Sequence, residues 1–340
     1  MKKVKSEEAV GLTLCHDVTG IRADFKGPVF RRGHVIQQED VETLLDLGKR
    51  HVFIWEDQAG EIHEEDAALR LAELAKVENG TFSGPSEGKM VLSAQCPGQF
   101  RVNVELLQRI NSIGDITICT LPDHYPVQPG AKLASMRIVP LVTKEENIIK
   151  AEQMCAESDT PLLELVPYQK KKVGIIITGS EIYTGRIKDL FQPVIRRKVA
   201  PYGAEVLGCT FCDDDLPMLE GAIQEYLEQG AELIVMTGGM SVDPDDITPT
   251  AIRNSGAEIV SHGVPSQPGN MLLVAYHGDT AIVGVPGAAA KAPTTTFDVL
   301  LPQIMTGRKL TKADLVRLGD GGFCQSCSAC HWPNCSYGRY

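Results

Sequence analysis

The second half of the chain alternates short apolar runs with amphipathic stretches, and this alternation constrains the possible folds more than any other feature. Continuous apolar runs at 173–177, 233–236 and 281–285 are typical of strands buried on both faces. A fourth strand is predicted at 205–209. Helices are predicted between the strands and after the last one. Strands that alternate with helices predict an α/β fold, with a mostly parallel sheet between two helical layers in an αβα arrangement.

Capping residues predict where the helices of this half begin. Asp189 and Asp215 are expected to cap two of them, because a side-chain oxygen at this position accepts a hydrogen bond from a free backbone N–H. Thr248, followed by Pro249 at the first helical position, is expected to cap a third. A last helix is predicted around Phe297.

The first half is less regular and predicts an α+β region over residues 1–165. Its expected elements are helices at 39–49, 61–78, 103–112 and 144–157, a strand at 51–55, a loop at 81–88 and an interdomain connection at 161–172. Three parts are therefore expected along the chain. They are the α+β region, an α/β domain at 172–307 and a Cys-rich tail at 319–340.

Composition excludes several classes of protein. The 340 residues carry 33 Lys and Arg against 44 Asp and Glu, a net charge of −11, which disfavours a nucleic-acid binder that must neutralise phosphates. No apolar stretch approaches the roughly 20 residues that span a bilayer, and no secretory signal is recognisable. We therefore expect a cytoplasmic protein without membrane or nucleic-acid partners, whose cysteines are reduced thiols or metal ligands.

Residues that can take part in binding or catalysis follow each of the four predicted strands. Ligands of open parallel sheets bind beyond the carboxyl ends of the strands, so these loops are expected to form one site. The loops contain Thr178, Gly179, Ser180 and Glu181 after the first strand, Asp213 to Asp215 after the second, Thr237 to Ser241 with Asp243, Asp245 and Asp246 after the third, and Pro286 and Gly287 after the fourth.

These residue types fit a phosphorylated ligand that is held with a metal ion. Glycines allow backbone N–H groups to approach a phosphate, and the hydroxyls of Thr178, Thr237 and Ser241 add donors. Carboxylates repel phosphate unless a divalent cation such as Mg²⁺ lies between them. Each loop also has a simpler interpretation: paired glycines form an ordinary turn, and Asp215 is a helix cap.

Four segments of the α/β part share the motifs of one superfamily. They are Ile176 to Glu181, Gly185 to Asp189, Gly238 to Val242 with the trailing Asp246, and Gly284 to Gly287. In these segments the chain resembles the molybdopterin-binding fold of the molybdenum cofactor biosynthesis superfamily, which includes molybdopterin molybdotransferases and adenylyltransferases. Ser241 after the paired glycines is nearer to the molybdotransferase branch.

The resemblance implies binding of molybdopterin, in adenylylated form, and insertion of molybdenum from molybdate with release of AMP and with Mg²⁺ present. It implies catalytic roles at the metal and molybdate end for Glu181, Asp214 and Asp246. The implied cofactor-binding residues are Thr178, Gly179, Ser180, Gly238, Gly239, Ser241, Pro286 and Gly287. A client molybdoenzyme or another maturation protein is the implied partner, and homodimers and trimers both remain open.

The sequence departs from the family at several positions. Leu190 and Phe191 replace a Ser-Asn pair, and Ala288 and Ala289 replace an Asn-Pro pair. Residues 8–55 resemble the N-terminal region of shorter molybdopterin-binding proteins rather than that of the transferases. Two functions therefore stay open: a molybdotransferase-like enzyme, and a non-catalytic carrier that delivers molybdopterin or the finished cofactor to a client.

Four of the ten cysteines lie close together near the C-terminus. Cys324, Cys327, Cys330 and Cys335 form a C-x2-C-x2-C-x4-C pattern, whose last gap is one residue longer than in a bacterial ferredoxin run. Zinc and an iron–sulfur cluster both suit four thiolates, and His331 can replace one of them. A reduced tail without metal is the alternative. An iron–sulfur redox protein is a third function that this pattern leaves open.

Overall fold

The computed structural model describes residues 1–22, 25–54, 56, 58–240 and 246–339. Three of the candidate residues, Ser241, Asp243 and Asp245, lie outside the described residues. Contacts divide the chain into two compact units. Unit 1 comprises residues 1–95, 102–121 and 129–164, and unit 2 comprises residues 96–101, 122–128 and 165–340.

The regular elements are numbered in chain order. The strands are β1 (Lys2–Lys5), β2 (Val18–Arg22), β3 (Phe25–Phe30), β4 (His51–Ile54), β5 (Glu61–His63), β6 (Gly80–Ser86), β7 (Lys89–Ala94), β8 (Gly98–Val102), β9 (Ile116–Thr120), β10 (Tyr125–Val127), β11 (Lys132–Ile138), β12 (Val142–Lys144), β13 (Leu163–Pro167), β14 (Lys172–Thr178), β15 (Glu205–Cys212), β16 (Leu233–Thr237), β17 (Glu258–His262), β18 (Leu273–His277) and β19 (Thr280–Val285). The α-helices are α1 (Asp40–Asp46), α2 (Glu64–Leu74), α3 (Val104–Asn111), α4 (Glu145–Ala156), α5 (Ser180–Tyr183), α6 (Phe191–Val199), α7 (Leu216–Glu228), α8 (Thr248–Asn254), α9 (Thr296–Met305) and α10 (Lys312–Arg317).

Unit 1 mixes helices with small antiparallel sheets, which confirms the predicted α+β region. Its largest sheet has the strand order β6-β7-β11-β9, and α2 packs on β7 and β11. Pairs of strands form β1-β4, β2-β3 and β12-β5. A separate small core lies beneath α1 and contains Leu14, Ile36 and Leu44, each fully buried.

Unit 2 is built on a six-stranded sheet with the order β15-β14-β16-β19-β18-β17. The first four strands are parallel, and β18 alone runs in the opposite direction, antiparallel to both of its neighbours, β19 and β17. The sheet therefore has the mostly parallel character that the alternating pattern predicted.

Side chains of β14 enter the cores on both faces of this sheet. Ile175 and Ile177 pack with Phe297 of α9 in one core, whereas Ile176 packs with Ile223 of α7 in the other. Successive side chains of a strand point to opposite faces, so a run of apolar residues serves both cores. The three-layer αβα architecture is thus confirmed.

Several local predictions were wrong, and each has a physical reason. Residues 81–88 are not a loop, because β6 covers most of them; β6 lies at the edge of its sheet, where a proline is tolerated. The connection predicted at 161–172 contains β13. Thr248 is the first residue of α8 rather than its cap, and its hydroxyl donates to the carbonyl oxygen of Gly238 at 3.0 Å.

The segment that follows α10 packs on unit 2 instead of extending from it. Tyr337 is buried, and its hydroxyl is 3.1 Å from that of Ser266. A Cβ atom on Gly321 would overlap the carbonyl oxygen of Arg339, so this glycine permits a close backbone contact. Among the described residues, no helix is both long and apolar enough to cross a bilayer.

Candidate functional site

The four loops predicted to form a site follow neighbouring strands of the unit 2 sheet. The register pairs Thr178 with Cys212, Ile177 with Thr237, and Thr237 with Val285. The loops after β15, β14, β16 and β19 therefore lie side by side, in that order, at the carboxyl edge of the sheet. We call this edge the rim, and its described residues are 178–181, 213–215, 238–240, 246 and 286–287.

Asp214 joins two of these loops through both of its carboxylate oxygens. Its Oδ1 accepts a hydrogen bond from the Thr178 hydroxyl at 2.8 Å, and its Oδ2 accepts one from the Ser180 backbone N–H at 3.0 Å. The Ser180 hydroxyl donates to the neighbouring Asp213. The structure thus brings Thr178, Ser180 and Asp214 together as the sequence predicted.

These bonds change the expected use of the two hydroxyls. Thr178 is buried, and its only hydroxyl proton is directed to Asp214 rather than outward. A charged acceptor makes such a bond stronger than one between neutral groups. Thr237 is fully buried, and within the described residues its hydroxyl has no hydrogen-bond partner. Neither side chain is exposed at the rim.

Glu181 is placed differently from Asp214. It is exposed in the first turn of α5, and its carboxylate lies near Gly179, whose added Cβ would be 3.2 Å from Oε2. The backbone carbonyl of Glu181 accepts a hydrogen bond from the Ile187 N–H at 3.1 Å. Its side chain is the rim carboxylate that is most open to solvent among those of Glu181, Asp214 and Asp246.

Gly238 lies against the loop that follows β14. Its φ of +92° suits glycine, and a Cβ atom there would overlap the Thr178 carbonyl oxygen. Its own carbonyl accepts the Thr248 hydroxyl bond already described. Gly238 therefore allows two neighbouring loops of the rim to approach closely. Sequence reasoning missed Thr248 here, because a threonine before a proline is also the usual signal of a helix cap.

The remaining candidates lie further along the rim. Pro286 is buried directly after β19, and Gly287 is exposed at the start of a short 3-10 helix, Gly287–Ala290. Asp246 is half-buried just before α8. Ser241, in the preceding loop, lies outside the described residues.

Cys209 and Cys212 stand next to the acidic loop but do not resemble a reactive pair. Burial raises the pKa of each thiol to about 11, so both remain protonated near neutral pH. Cys212 is buried, and its neighbours are the apolar residues beneath α7. Cys212 is thus a core residue, and Cys209 packs against the core on the other face of the sheet.

The helix caps predicted at Asp215 and Asp189 are present in the structure. Asp215 accepts a hydrogen bond from the Met218 N–H at 2.9 Å, which makes it the cap of α7. Asp189 accepts from the backbone N–H groups of Phe191 and Gln192 at 2.8 and 2.9 Å, at the start of α6. Both aspartates therefore stabilise the starts of helices. Fewer carboxylates than the sequence contains in these loops are then available to bind a metal ion or a substrate.

The C-terminal cysteines lie apart from the rim candidates in sequence and line a cavity of their own. Cys324, Cys327, Cys330 and Cys335 all contribute to its wall, together with His331. Among the described residues, no three His, Cys, Asp or Glu side chains are grouped as ligands for a single metal ion. The four cysteines of the pattern therefore line one cavity, but their side chains are not arranged as ligands of a single metal ion.

Comparison with known families assigns the α/β part of the chain. Residues 174–306 match the family model described as "Probable molybdopterin binding domain". The match covers β14 to α9 and confirms the resemblance stated for 172–307. Residues 3–56 match a second model, described as a domain of unknown function.

Two curated relatives match part of the chain. A molybdopterin molybdenumtransferase of Synechococcus elongatus is 26% identical over 186 residues, which are 52% of this chain and 46% of that protein. A CinA-like protein of Mycobacterium tuberculosis is 37% identical over 90 residues, 26% of this chain and 21% of that protein. The chain therefore spans less than half the length of either relative.

Solved structures also match part of the chain. The molybdopterin biosynthesis enzyme MoaB of Thermus thermophilus is 20% identical, and the match covers 41% of this chain and 98% of that one, with a TM-score of 0.33. The Mog protein of Mycobacterium ulcerans is 22% identical over 36% of this chain and 88% of that one, with a TM-score of 0.30.

Proposed function

We propose that this chain binds adenylylated molybdopterin and inserts molybdenum from molybdate into its dithiolene, with release of AMP. The observation that carries the proposal is the match of residues 174–306 to the molybdopterin-binding domain family. The transferase relative supports an enzymatic role. The arrangement of the rim supports the location of the site.

The rim residues have distinct parts in this proposal. The loop at Gly238 and Gly239 binds phosphate through backbone N–H groups, since glycines leave room for close approach. Thr178 and Asp214 hold the loop after β14 in place through their 2.8 Å hydrogen bond. Pro286 shapes the pterin side, where it ends a buried strand.

The rim also suits Mg²⁺. This ion is commonly bound by one or two protein carboxylates together with substrate phosphates and water, so it does not require a cage of three protein ligands. Asp214 and Asp246 would hold it, and Glu181 is the accessible carboxylate beside them. When bound, Mg²⁺ would supply positive charge that compensates the charge of the phosphates.

An AMP-release assay tests the proposal directly. The full chain is incubated with adenylylated molybdopterin, molybdate and Mg²⁺, and AMP is measured over time. We expect molybdate-dependent release in the wild type, and a loss on the order of 100-fold in Asp246→Ala, because charge stabilisation at the reacting group is removed. Glu181→Gln is expected to lower the rate at an exposed position where folding is not disturbed.

A matched control lies at the opposite end of the same sheet. Glu205 is exposed at the start of β15, so Glu205→Gln removes one carboxylate without touching the rim, and its rate should equal that of the wild type. Tight pterin binding without AMP release would contradict insertion and favour the carrier function. Absence of pterin binding would contradict the whole proposal.

A further inference from the structure

The cysteine-lined cavity is a separate feature of unit 2 that the proposed function does not use. Its volume is about 280 Å³, and all four thiols of the C-x2-C-x2-C-x4-C pattern contribute to its wall. Much of the remaining wall is apolar and includes Trp332 and Tyr337. The tail therefore folds around a space instead of filling it with side chains.

Three of the four cysteines are held to different parts of the cavity wall. The Cys324 N–H donates to the Gln267 carbonyl at 2.9 Å, beside a single parallel bridge between Gln267 and Phe323. The Cys330 sulfur is 3.1 Å from the hydroxyl of Thr294. The cavity is thus bounded by the body of unit 2 as well as by the tail.

A second set of bonds holds the last cysteine. The Cys335 N–H donates to the Pro333 carbonyl at 2.9 Å, and the Cys335 carbonyl accepts from Arg339 Nε at 2.9 Å. The guanidinium of Arg339 lies 4.1 Å above the ring centre of Tyr125. The turn that carries Cys335 is therefore anchored to its surroundings rather than free to close inward.

The size of the cavity favours the larger of the two metal groups that the spacing leaves open. Four thiolates bind one zinc ion at about 2.3 Å each, so a zinc site needs little space between its sulfurs. Here all four cysteines line a cavity of about 280 Å³. In a [4Fe–4S] cluster each thiolate binds a different iron, so the sulfurs lie further apart around the cluster.

We propose that Cys324, Cys327, Cys330 and Cys335 bind one [4Fe–4S] cluster in this cavity. Binding is a ligand exchange with a preformed [4Fe–4S]²⁺ cluster. Four Fe–Sγ bonds form, the four thiol protons leave with the ligands that the cluster previously carried, and no oxidation state changes. Cys327 and Cys330 are exposed, so they form the side from which the cluster enters. The inference does not depend on the proposed activity at the rim.

Metal analysis of the full chain, purified without oxygen, tests the proposal. The chain is loaded with a synthetic thiolate-ligated [4Fe–4S]²⁺ cluster and separated from the excess. We expect four irons and four acid-labile sulfides per chain, the content of one cluster. We also expect visible absorption that bleaches on reduction, together with the paramagnetic resonance signal of the reduced cluster.

Variants at exposed positions separate cluster binding from folding. Cys327→Ser and Cys330→Ser should each lower cluster affinity by about tenfold or more, a loss that even supporting residues of metal sites produce when removed. Cys119→Ser is the matched control, because Cys119 is also exposed but lies on β9 of unit 1. Its iron and sulfide content should equal that of the wild type.

Three results would overturn the proposal. One is a chain that takes up zinc without sulfide. Another is a chain that remains free of iron after loading while its thiols stay reduced. The third is an unchanged iron content in both Cys327→Ser and Cys330→Ser. Circular dichroism of each variant verifies that a loss of iron reflects the missing thiol and not unfolding.

Discussion

At the scale of single residues, the rim is organised by polar groups that satisfy one another. Asp214 accepts from the Thr178 hydroxyl and from the Ser180 N–H, and the Thr248 hydroxyl donates to the Gly238 carbonyl. A buried or half-buried polar group without a hydrogen-bond partner lowers the stability of the fold, so these bonds hold the loops in one conformation. The rim is therefore preorganised in the absence of a ligand.

Gly238→Ala is predicted to destabilise unit 2 by about 3 kcal/mol or more, because the new Cβ atom would overlap a backbone carbonyl that cannot move alone. The measurement is the free energy of unfolding in denaturant. Gly230→Ala is the matched control: Gly230 also has a positive φ, of +75°, but its Cβ would meet no atom within 4 Å. Its cost should be only about 1 to 2 kcal/mol. Equal losses in both variants would contradict the close-approach argument.

At the scale of elements, the helices of unit 2 are joined by a buried ion pair. Lys198 near the end of α6 lies 2.6 Å from Asp298 in the first turn of α9, and their side chains are 6% and 12% exposed. Asp298 also accepts from the Thr295 N–H at 2.7 Å, as part of a capping box. One carboxylate thus caps its own helix and binds a neighbouring one.

Lys198→Met is predicted to lower the free energy of unfolding by about 3 to 5 kcal/mol, since Asp298 would remain buried without its cation. Lys309→Met provides the comparison. Its ion pair with Asp279 is exposed, with side chains 54% and 99% accessible, so its loss should be at most about 1 kcal/mol. A small effect of Lys198→Met, similar to that of the control, would show that the helix cap alone stabilises Asp298.

Elements with strong local signals could be predicted from the sequence. Buried parallel strands such as β14 and β16 are continuous apolar runs, and helices with a clear cap, such as α7, begin where an aspartate stands. The edge strand β17 is only partly buried and has a mixed pattern, and neither β17 nor its antiparallel neighbour β18 was predicted. Short helices such as α5 contain too few residues to show the repeat of apolar side chains that identifies a helix.

At the scale of the whole molecule, the two units are not two consecutive segments of the chain. Residues 96–101 and 122–128 belong to unit 2, although both segments come before residue 165. One of them carries His124, whose side chain is only 6% exposed. Arg101 and Arg308 add positive charge around it, and Asp123 adds a negative one. Burial and the two arginines together lower the pKa of His124 to about 4.

This shift predicts a loss of stability in acid. The unfolded chain binds a proton at His124 below a pH of about 6.5, whereas the folded chain does so only near 4, so the free energy of unfolding falls as the pH drops from 6.5 to 4. The loss from this group is at most about 3 kcal/mol. Denaturant unfolding at several pH values should show a flatter profile for His124→Gln. His277→Gln, at an exposed position on β18, should keep the slope of the wild type.

The sequence by itself determined the αβα class, the positions of the buried strands along the chain and the four loops that follow them. These features are local: an apolar run, a cap and a glycine act within a few residues of themselves. Only the tertiary structure decided that Asp214 joins two loops, that Thr248 serves the rim rather than its helix, and that four cysteines surround a cavity. These outcomes depend on atoms brought together from distant parts of the chain, where the register of the sheet and the packing of the tail set the distances.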